Sequence, residues 1–238
     1  MRGNLSLAAL LWTCLLAAGC ARSCTAGEVR DQTSTSPSGP AGPVDPAAPA
    51  ERPRVVALGD SLTAGYGLLE SQSYPAILQE YIDAEGYEFE VINAGVSGDT
   101  SAGGLRRLDW ALDGKVRVLV VALGANDGLR GLPVKEMKEN LTAIVTRARE
   151  RNVVVVLAGM EAPPNYGREY ATAFREAFRE VAQQERVLFL PFLLDKVAGQ
   201  GGLNQGDGIH PNETGTRIVA DTVWAVLRPL LDQLTAAS

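Results

Sequence analysis

Five continuous apolar runs limit, more than any other feature, how this chain can fold. They alternate along the sequence with segments whose apolar residues recur at helical spacing. A strand that is apolar throughout, and not only at every second position, is covered on both faces, as in a parallel sheet between layers of helices. We therefore predict one α/β domain, a three-layer sandwich around a five-stranded parallel sheet. The predicted strands are Val55–Leu58, Phe89–Ala94, Val116–Leu123, Val153–Gly159 and Val187–Pro191.

Four amphipathic segments supply helices for this sandwich. In each of them apolar residues return every three or four positions, so that one face of the helix can pack on the sheet. The predicted helices include Tyr74–Tyr81, Val134–Ala148, Phe174–Val181 and Ile218–Leu227. Pro229 is expected to kink or end the last helix, because proline lacks the N–H that continues a helix.

Residues 1–19 have the pattern of a signal peptide. Arg2 is followed by the apolar run Leu5–Ala18, which is too short for a comfortable membrane span. The segment Leu16–Cys20 resembles a bacterial lipobox, with its leucine one place further upstream than usual. The sequence therefore predicts removal of residues 1–19 and lipidation of Cys20, with simple secretion as the alternative.

The segment between the signal peptide and the domain, residues 20–53, is rich in small and polar residues and in proline. Such a segment cannot bury enough surface to offset the entropy it would lose on ordering, so we predict a flexible tether. The folded domain then spans residues 54–238. We expect an exported protein that is held at a membrane and faces the periplasm or the cell surface; a soluble secreted protein is the alternative.

Composition excludes several classes of function. The net charge of −6 is the opposite of the basic excess that nucleic-acid binding normally requires. All three cysteines precede residue 25, and His210 is the only histidine, so the sequence lacks the usual ligand sets for zinc and iron–sulfur centres. Any imidazole chemistry must use His210.

Each predicted strand is followed by a polar segment, and most of these segments contain glycine. The carboxyl ends of parallel strands share one edge of the sheet, where ligands bind, so the five segments are expected to meet there. They are Gly59–Ser61, Asn93–Asp99, Gly124–Asp127, Pro163–Tyr166 and Asp207–Pro211.

The residue types in these segments are those required for acyl transfer. Ser61 becomes a nucleophile once a base removes its proton, and His210 is the only imidazole available as that base. Asp207, three residues before the histidine, can accept the other ring N–H and fix the tautomer. The backbone N–H groups of Ser61 and Gly95 and the side-chain amide of Asn126 are predicted to bind the oxyanion.

Four blocks resemble those of the SGNH/GDSL hydrolase superfamily, over nearly all of residues 54–234. They are Gly59-Asp60-Ser61-Leu62, Asn93-Ala94-Gly95, Gly124-Ala125-Asn126-Asp127 and Asp207-Gly208-Ile209-His210. The stretches Val96–Gly104 and Ala162–Gly167 are similar to the branch of bacterial arylesterases, acyl-thioesterases and lysophospholipases. Ala125 departs from that branch, which often has glycine at this position.

The resemblance implies a flavodoxin-like strand order, hydrolysis of acyl esters or thioesters through an acyl-serine intermediate, and neither a metal nor an organic cofactor. It also implies that the loops after the third and fourth strands lie near the acyl chain, with Leu129, Pro163 and Tyr166 as substrate-binding residues. The alternatives are a carbohydrate acetylesterase and a non-catalytic surface protein that binds lipid or glycan. The intact blocks argue against the non-catalytic alternative.

The same residues allow other interpretations. Asp60 and Ser61 can simply cap the turn after the first strand. Ser97 is a second candidate nucleophile, although no G-x-S-x-G elbow surrounds it. The stretch Gly95–Gly104 is rich in glycine but lacks the first glycine of a dinucleotide-binding fingerprint. Asp60 and Asp127 are interpreted as structural supports and not as acids.

Overall fold

Residues 51–236 are described by a computed structural model, and their strands form one parallel sheet. The strands are β1 (Arg54–Gly59), β2 (Glu90–Gly95), β3 (Val116–Ala122), β4 (Val154–Ala158) and β5 (Leu188–Leu190). Their order across the sheet is β2-β1-β3-β4-β5, and every neighbouring pair is parallel. The predicted α/β sandwich and its flavodoxin-like strand order are confirmed. The predicted signal peptide, the predicted lipidation site Cys20 and the predicted tether up to residue 50 lie outside the described residues.

Eight α-helices lie between residues 51 and 236. They are α1 (Ser61–Ala64), α2 (Tyr74–Ala84), α3 (Ser101–Arg106), α4 (Leu108–Ala111), α5 (Ala125–Leu129), α6 (Val134–Glu150), α7 (Gly167–Glu185) and α8 (Glu213–Ala236). The four predicted helices correspond to α2, α6, α7 and α8. Helix α8 does not end at Pro229, because Leu227, Leu230 and Leu231 are buried on both sides of the proline and hold the helix in place. In this part of the chain, no helix has both the length and the apolar character that a bilayer span requires.

The core lies on both faces of the sheet. Side chains of the central strands and their continuation, Val55–Leu58 and Val118–Leu123, are at most 2% exposed, as expected for strands covered by helices on both faces. Helices α2 and α8 pack against each other, and α6 packs against α3 and α7. The largest buried side chains come from both groups of helices, with Tyr74 on α2 and Phe174 and Phe178 on α7.

The carboxyl ends of β1 and β2 lie directly against α1. Gly59 and Gly95 are paired in the register of the two strands. A Cβ atom on Gly59 would lie 1.9 Å from Thr63 Oγ1, and a Cβ atom on Gly95 would lie 2.2 Å from Ala64 N. Only glycine therefore permits this close approach, which places Ser61, the first residue of α1, at the edge of the sheet.

Candidate active site

Ser61, His210 and Asp207 form a continuous chain of hydrogen bonds. Ser61 follows β1, whereas Asp207 and His210 lie in the loop between β5 and α8. His210 Nε2 is 2.9 Å from Ser61 Oγ, and His210 Nδ1 is 2.7 Å from Asp207 Oδ2. The only imidazole in the chain therefore contacts Ser61 and not Ser97, the second candidate nucleophile. The three side chains have the connectivity of a nucleophile, a base and the carboxylate that orients the base.

Asp207 is kept ionised by the loop that carries it. Its Oδ1 accepts the backbone N–H groups of Ile209 and His210 at 2.9 and 3.0 Å. The backbone N–H of His210, then the imidazole of His210 and the backbone N–H of Ile209, lower the pKa of Asp207 to about 2. A carboxylate beside Nδ1 keeps the proton on that nitrogen, so the Nε2 lone pair faces the serine hydroxyl. The imidazole can therefore take the proton of Ser61.

Two buried aspartates, Asp60 and Asp127, support the site. Asp60 is 1% exposed, and its two oxygens accept the backbone N–H of Leu62 at 3.0 Å and the side-chain amide of Asn126 at 3.3 Å. Burial raises the pKa of Asp60 to about 6, although these hydrogen bonds oppose the shift. Asp127 accepts the backbone N–H of Ser101 at 2.8 Å and its hydroxyl at 2.6 Å, which joins α5 to α3. Both contact patterns fit the interpretation as structural supports.

Gly95, one of the three predicted oxyanion donors, does not face the site. The other two, the N–H of Ser61 and the amide of Asn126, belong to residues that line the cavity beside His210. The N–H of Gly95 instead donates to Asn93 Oδ1 at 3.0 Å, and Gly95 does not line the cavity. The structure thus corrects the prediction for Gly95: its missing side chain serves the close approach of α1, and its N–H is already bonded.

Gly98, in the same segment as Gly95, faces the cavity. It lines the cavity together with Ser61 and Asn126, and its N–H makes no backbone hydrogen bond within the described residues. Its φ of +84° lies in the left-handed region that favours glycine, and its carbonyl accepts a hydrogen bond from Arg130 Nη2 at 2.8 Å. The N–H of Gly98 can therefore complete an oxyanion hole with the other two donors.

Arg107, which sequence reasoning missed, fixes the segment that carries Gly98. Its Nη1 and Nη2 donate to the carbonyl oxygens of Ala94 and Gly59, both at 2.7 Å. Its Nε donates to Asp99 Oδ2 at 2.6 Å, and both side chains of this ion pair are only 17% exposed. One guanidinium thus joins the ends of β1 and β2 to the residue after Gly98. No local motif marks this arginine, since its partners are mostly backbone carbonyls.

A cavity of about 600 Å³ with mainly apolar walls opens beside Ser61. Of the three predicted substrate-binding residues, Leu129 and Pro163 line it and Tyr166 does not. The hydroxyl of Tyr166 donates to the Leu129 carbonyl at 3.1 Å, and its ring occupies the space that a side chain on Gly131 would need. Tyr166 therefore contacts Leu129 and Gly131 without lining the cavity, which corrects the prediction that it is a substrate-binding residue.

Two parts of the cavity wall were not predicted. The segment after β5 contributes Phe192, Leu194 and Ala198. Tyr66, which follows α1, also lines the cavity, and its ring centroid lies 4.7 Å from that of His210. The apolar residues after β5 could have been a signal, because they continue an apolar run beyond the strand toward the edge where ligands bind.

The fold and this geometry define a serine hydrolase on an open parallel α/β sheet. A nucleophile, a base and an orienting carboxylate meet at the carboxyl edge of the sheet, beside an apolar cavity. Between residues 51 and 236, no group of three or more His, Cys, Asp and Glu side chains is arranged to hold a metal ion. The arrangement fits acyl transfer through a covalent serine intermediate.

Comparison with known proteins gives the family. The model of the GDSL-like lipase/acylhydrolase family matches residues 57–218, and the chain belongs to this family. The chain is 43% identical to the esterase TesA of Pseudomonas aeruginosa over 178 residues, which cover 74% of this chain and 89% of that protein. It is 36% identical to thioesterase 1/protease 1/lysophospholipase L1 of Escherichia coli, over 75% of this chain and 85% of that protein.

A solved structure agrees with this assignment. The crystal structure of the psychrotrophic esterase EstA from Pseudoalteromonas sp., inhibited by monoethylphosphonate, has a TM-score of 0.72 and 37% sequence identity. The similarity covers 75% of this chain and 98% of the EstA chain. The family resemblance inferred from the four sequence blocks is confirmed.

Proposed function

We propose that this protein hydrolyses esters and thioesters of hydrophobic acyl groups through an acyl-Ser61 intermediate. The observation that carries the proposal is the 2.9 Å contact between Ser61 Oγ and His210 Nε2 beside an apolar cavity. The names of the similar proteins, an esterase and a thioesterase/lysophospholipase, point to the same types of bond.

Acylation uses all the groups that meet at the sheet edge. His210 Nε2 takes the hydroxyl proton while Ser61 Oγ attacks the acyl carbonyl carbon, and the carbonyl electron pair moves to oxygen. The backbone N–H groups of Ser61 and Gly98 and the amide of Asn126 stabilise the resulting oxyanion. Asp207 stabilises the imidazolium. When the tetrahedral species collapses, the C–O or C–S bond breaks and the imidazolium gives its proton to the departing alcohol or thiol.

Deacylation repeats these steps with water. His210 Nε2 takes a proton from the water molecule, whose oxygen attacks the acyl-Ser61 carbonyl, and the proton then passes to Ser61 Oγ as the carboxylic acid leaves. The acyl chain lies in the cavity, whose walls include Leu129, Pro163 and the segment after β5. Burial of this chain favours acyl groups longer than acetyl, at about 0.8 kcal/mol for each buried methylene group.

Hydrolysis of p-nitrophenyl esters from acetyl to palmitoyl tests the proposal, with Ser61→Ala as the control. We expect rates to increase from acetyl to medium chains and to fall by about 10⁴-fold or more in the variant, because the covalent route is lost. Unaltered hydrolysis by Ser61→Ala would contradict the proposal. Activity confined to acetyl esters would favour a carbohydrate acetylesterase, and inactivity on every ester would favour a binding protein.

We further propose that the protein is exported and anchored by a lipid on Cys20, with residues 20–53 as a tether between the anchor and the domain. Support comes from the apolar run Leu5–Ala18 and the lipobox-like segment Leu16–Cys20. An anchored esterase of this kind would act on acyl esters outside the cytoplasm.

A further inference from the structure

Gln205 bridges the two segments that carry Ser61 and His210. Its side-chain Nε2 donates to the backbone carbonyl of Tyr66 at 2.7 Å and to that of Pro211 at 3.0 Å. Tyr66 lies just after α1, the short helix that begins with Ser61, and Pro211 directly follows His210. One amide group therefore connects the segment of the nucleophile to the segment of the base.

The backbone of Gln205 shapes the histidine loop independently of its side chain. Its N–H donates to the His210 carbonyl at 2.7 Å, and its carbonyl accepts the N–H of Gly208 at 2.9 Å. An antiparallel bridge between Asn204 and Pro211 closes the base of the same loop. These bonds remain when the side chain is changed. The side-chain amide thus acts mainly on where the loop lies relative to α1.

The surroundings of the Gln205 side chain are fitted to this contact. A Cβ atom on Gly67 would lie 2.2 Å from Gln205 Oε1, and the φ of Gly67 is +77°. Tyr66, whose carbonyl the amide binds, also places its ring 4.7 Å from the imidazole of His210. The amide therefore binds the backbone of the same residue whose ring lies beside the imidazole.

We propose that Gln205 is a positioning residue that keeps His210 Nε2 within hydrogen-bond distance of Ser61 Oγ. The proposal rests on the roles of Ser61 and His210 in the proposed function. The loop is exposed from Gly206 to Ile209, and the contact that it must hold joins residues 149 positions apart. A misplacement of about 1 Å at such a contact can cost about 10²-fold in rate.

The variant Gln205→Met tests the role of the amide. Methionine keeps the length of the side chain and removes both N–H donors, while the backbone bonds of residue 205 remain. In the full-length chain we expect kcat to fall by about 10- to 100-fold and KM to change less, since Leu129, Pro163 and the segment after β5 keep their places in the cavity wall. Gln72→Met is the matched control: Gln72 is also half-buried and accepts the backbone N–H of Leu69 at 3.0 Å, without a bond to the histidine loop.

A spectroscopic measurement separates positioning from general stability. Because His210 is the only histidine, its ring nitrogens give an unambiguous ¹⁵N NMR signature. We expect the native imidazole to carry its proton on Nδ1, and the Nε2 signal to shift in Gln205→Met as the bond to Ser61 weakens. Gly67→Ala displaces the glutamine by a different route and should shift the same signal.

The kinetic and spectroscopic results together decide whether Gln205 positions His210. Native kcat in folded Gln205→Met overturns the proposal, and so does a loss of kcat with an unchanged imidazole spectrum. Ser61→Ala, measured in parallel, separates this proposal from the proposed function. Hydrolysis by Ser61→Ala refutes the proposed function, whereas inactive Ser61→Ala together with fully active Gln205→Met refutes the role of Gln205 alone.

Discussion

The two aspartates nearest to the reacting groups have opposite pKa shifts, because their surroundings differ. Asp207 is held by backbone N–H groups and by the imidazole, which lower its pKa to about 2. Asp60, which directly precedes Ser61, is buried, and burial raises its pKa to about 6. Asp207 therefore keeps a negative charge beside His210 at any pH where the imidazole can act as a base. The raised pKa of Asp60, about 6, belongs to a carboxyl group that also accepts a hydrogen bond from the Asn126 amide.

The variant Asp60→Asn should gain stability relative to the native protein as the pH rises from about 4 to above 6. Burial raises the pKa from 3.8 to about 6, so the folded protein binds this proton more tightly than the unfolded chain does. Ionisation of Asp60 therefore costs the native protein about 3 kcal/mol as the pH rises from about 4 to above 6, and asparagine has no such cost. Urea unfolding of both proteins across this window measures the difference. A difference in unfolding free energy that stays constant with pH would contradict the prediction.

The variant Asn126→Ala should lower kcat by about 10²- to 10³-fold and still fold, because it removes one of three oxyanion donors. Asn140→Ala is the matched control, since the Asn140 amide donates to Ser101 Oγ at 3.1 Å and does not line the cavity. The kcat of Asn140→Ala should stay close to the native value. Steady-state kinetics with circular dichroism checks both expectations, and equal kcat in the two variants would argue against the donor role.

At the residue scale, the sequence predicts contacts between side chains well. It predicts less well which backbone groups face the ligand. Ser61 and His210 could be paired because each stands in a polar segment after a strand, and the chain has one imidazole. Gly95 and Gly98 lie in the same glycine-containing segment, and only the turn decides which of the two lines the cavity. That turn depends on the left-handed backbone of Gly98 and on Arg107, which binds across two strand ends.

At the scale of elements, strands were easier to predict than loops. The buried strands show as uninterrupted apolar runs because helices cover both of their faces. The last predicted run, Val187–Pro191, is longer than β5, which spans Leu188–Leu190, and the apolar residues beyond it form cavity wall. Tyr166 ends a short 3₁₀ turn, and its direction depends on contacts with Leu129 and Gly131. Those contacts come from a different loop, so local sequence could not reveal them.

The close approach of α1 to β2 predicts a large difference between two glycine substitutions. In Gly95→Ala the new Cβ would lie 2.2 Å from Ala64 N, so backbone must move, at a cost of about 1–3 kcal/mol in unfolding free energy. In Gly201→Ala no atom lies within 4 Å of the new Cβ, and the change should stay within about 0.5 kcal/mol. Urea denaturation measures both values. Similar unfolding free energies would show that α1 does not depend on this contact.

At the scale of the whole molecule, parallel topology makes one site from segments that are far apart in sequence. The strand order β2-β1-β3-β4-β5 puts the ends of β1, β2 and β3 side by side, and the β5–α8 loop brings His210 to Ser61. Convergence at this edge could be predicted, because it follows from strand direction alone. The size of the cavity could not be predicted, because it depends on how the loops after β3, β4 and β5 pack against one another.

The predicted lipid anchor, Cys20, precedes the folded domain in the sequence. Cys20→Ser should move the protein from the membrane fraction to the soluble fraction and leave kcat unchanged, because Ser61, Asp207 and His210 contact one another within the described domain. Cys24→Ser is the matched control: it removes a neighbouring thiol that does not follow the lipobox-like segment, so the protein should stay with the membrane. Cell fractionation with an esterase assay of each fraction measures both. Native protein that is already soluble would favour simple secretion, and release by both substitutions would show that position 20 has no special role in anchoring.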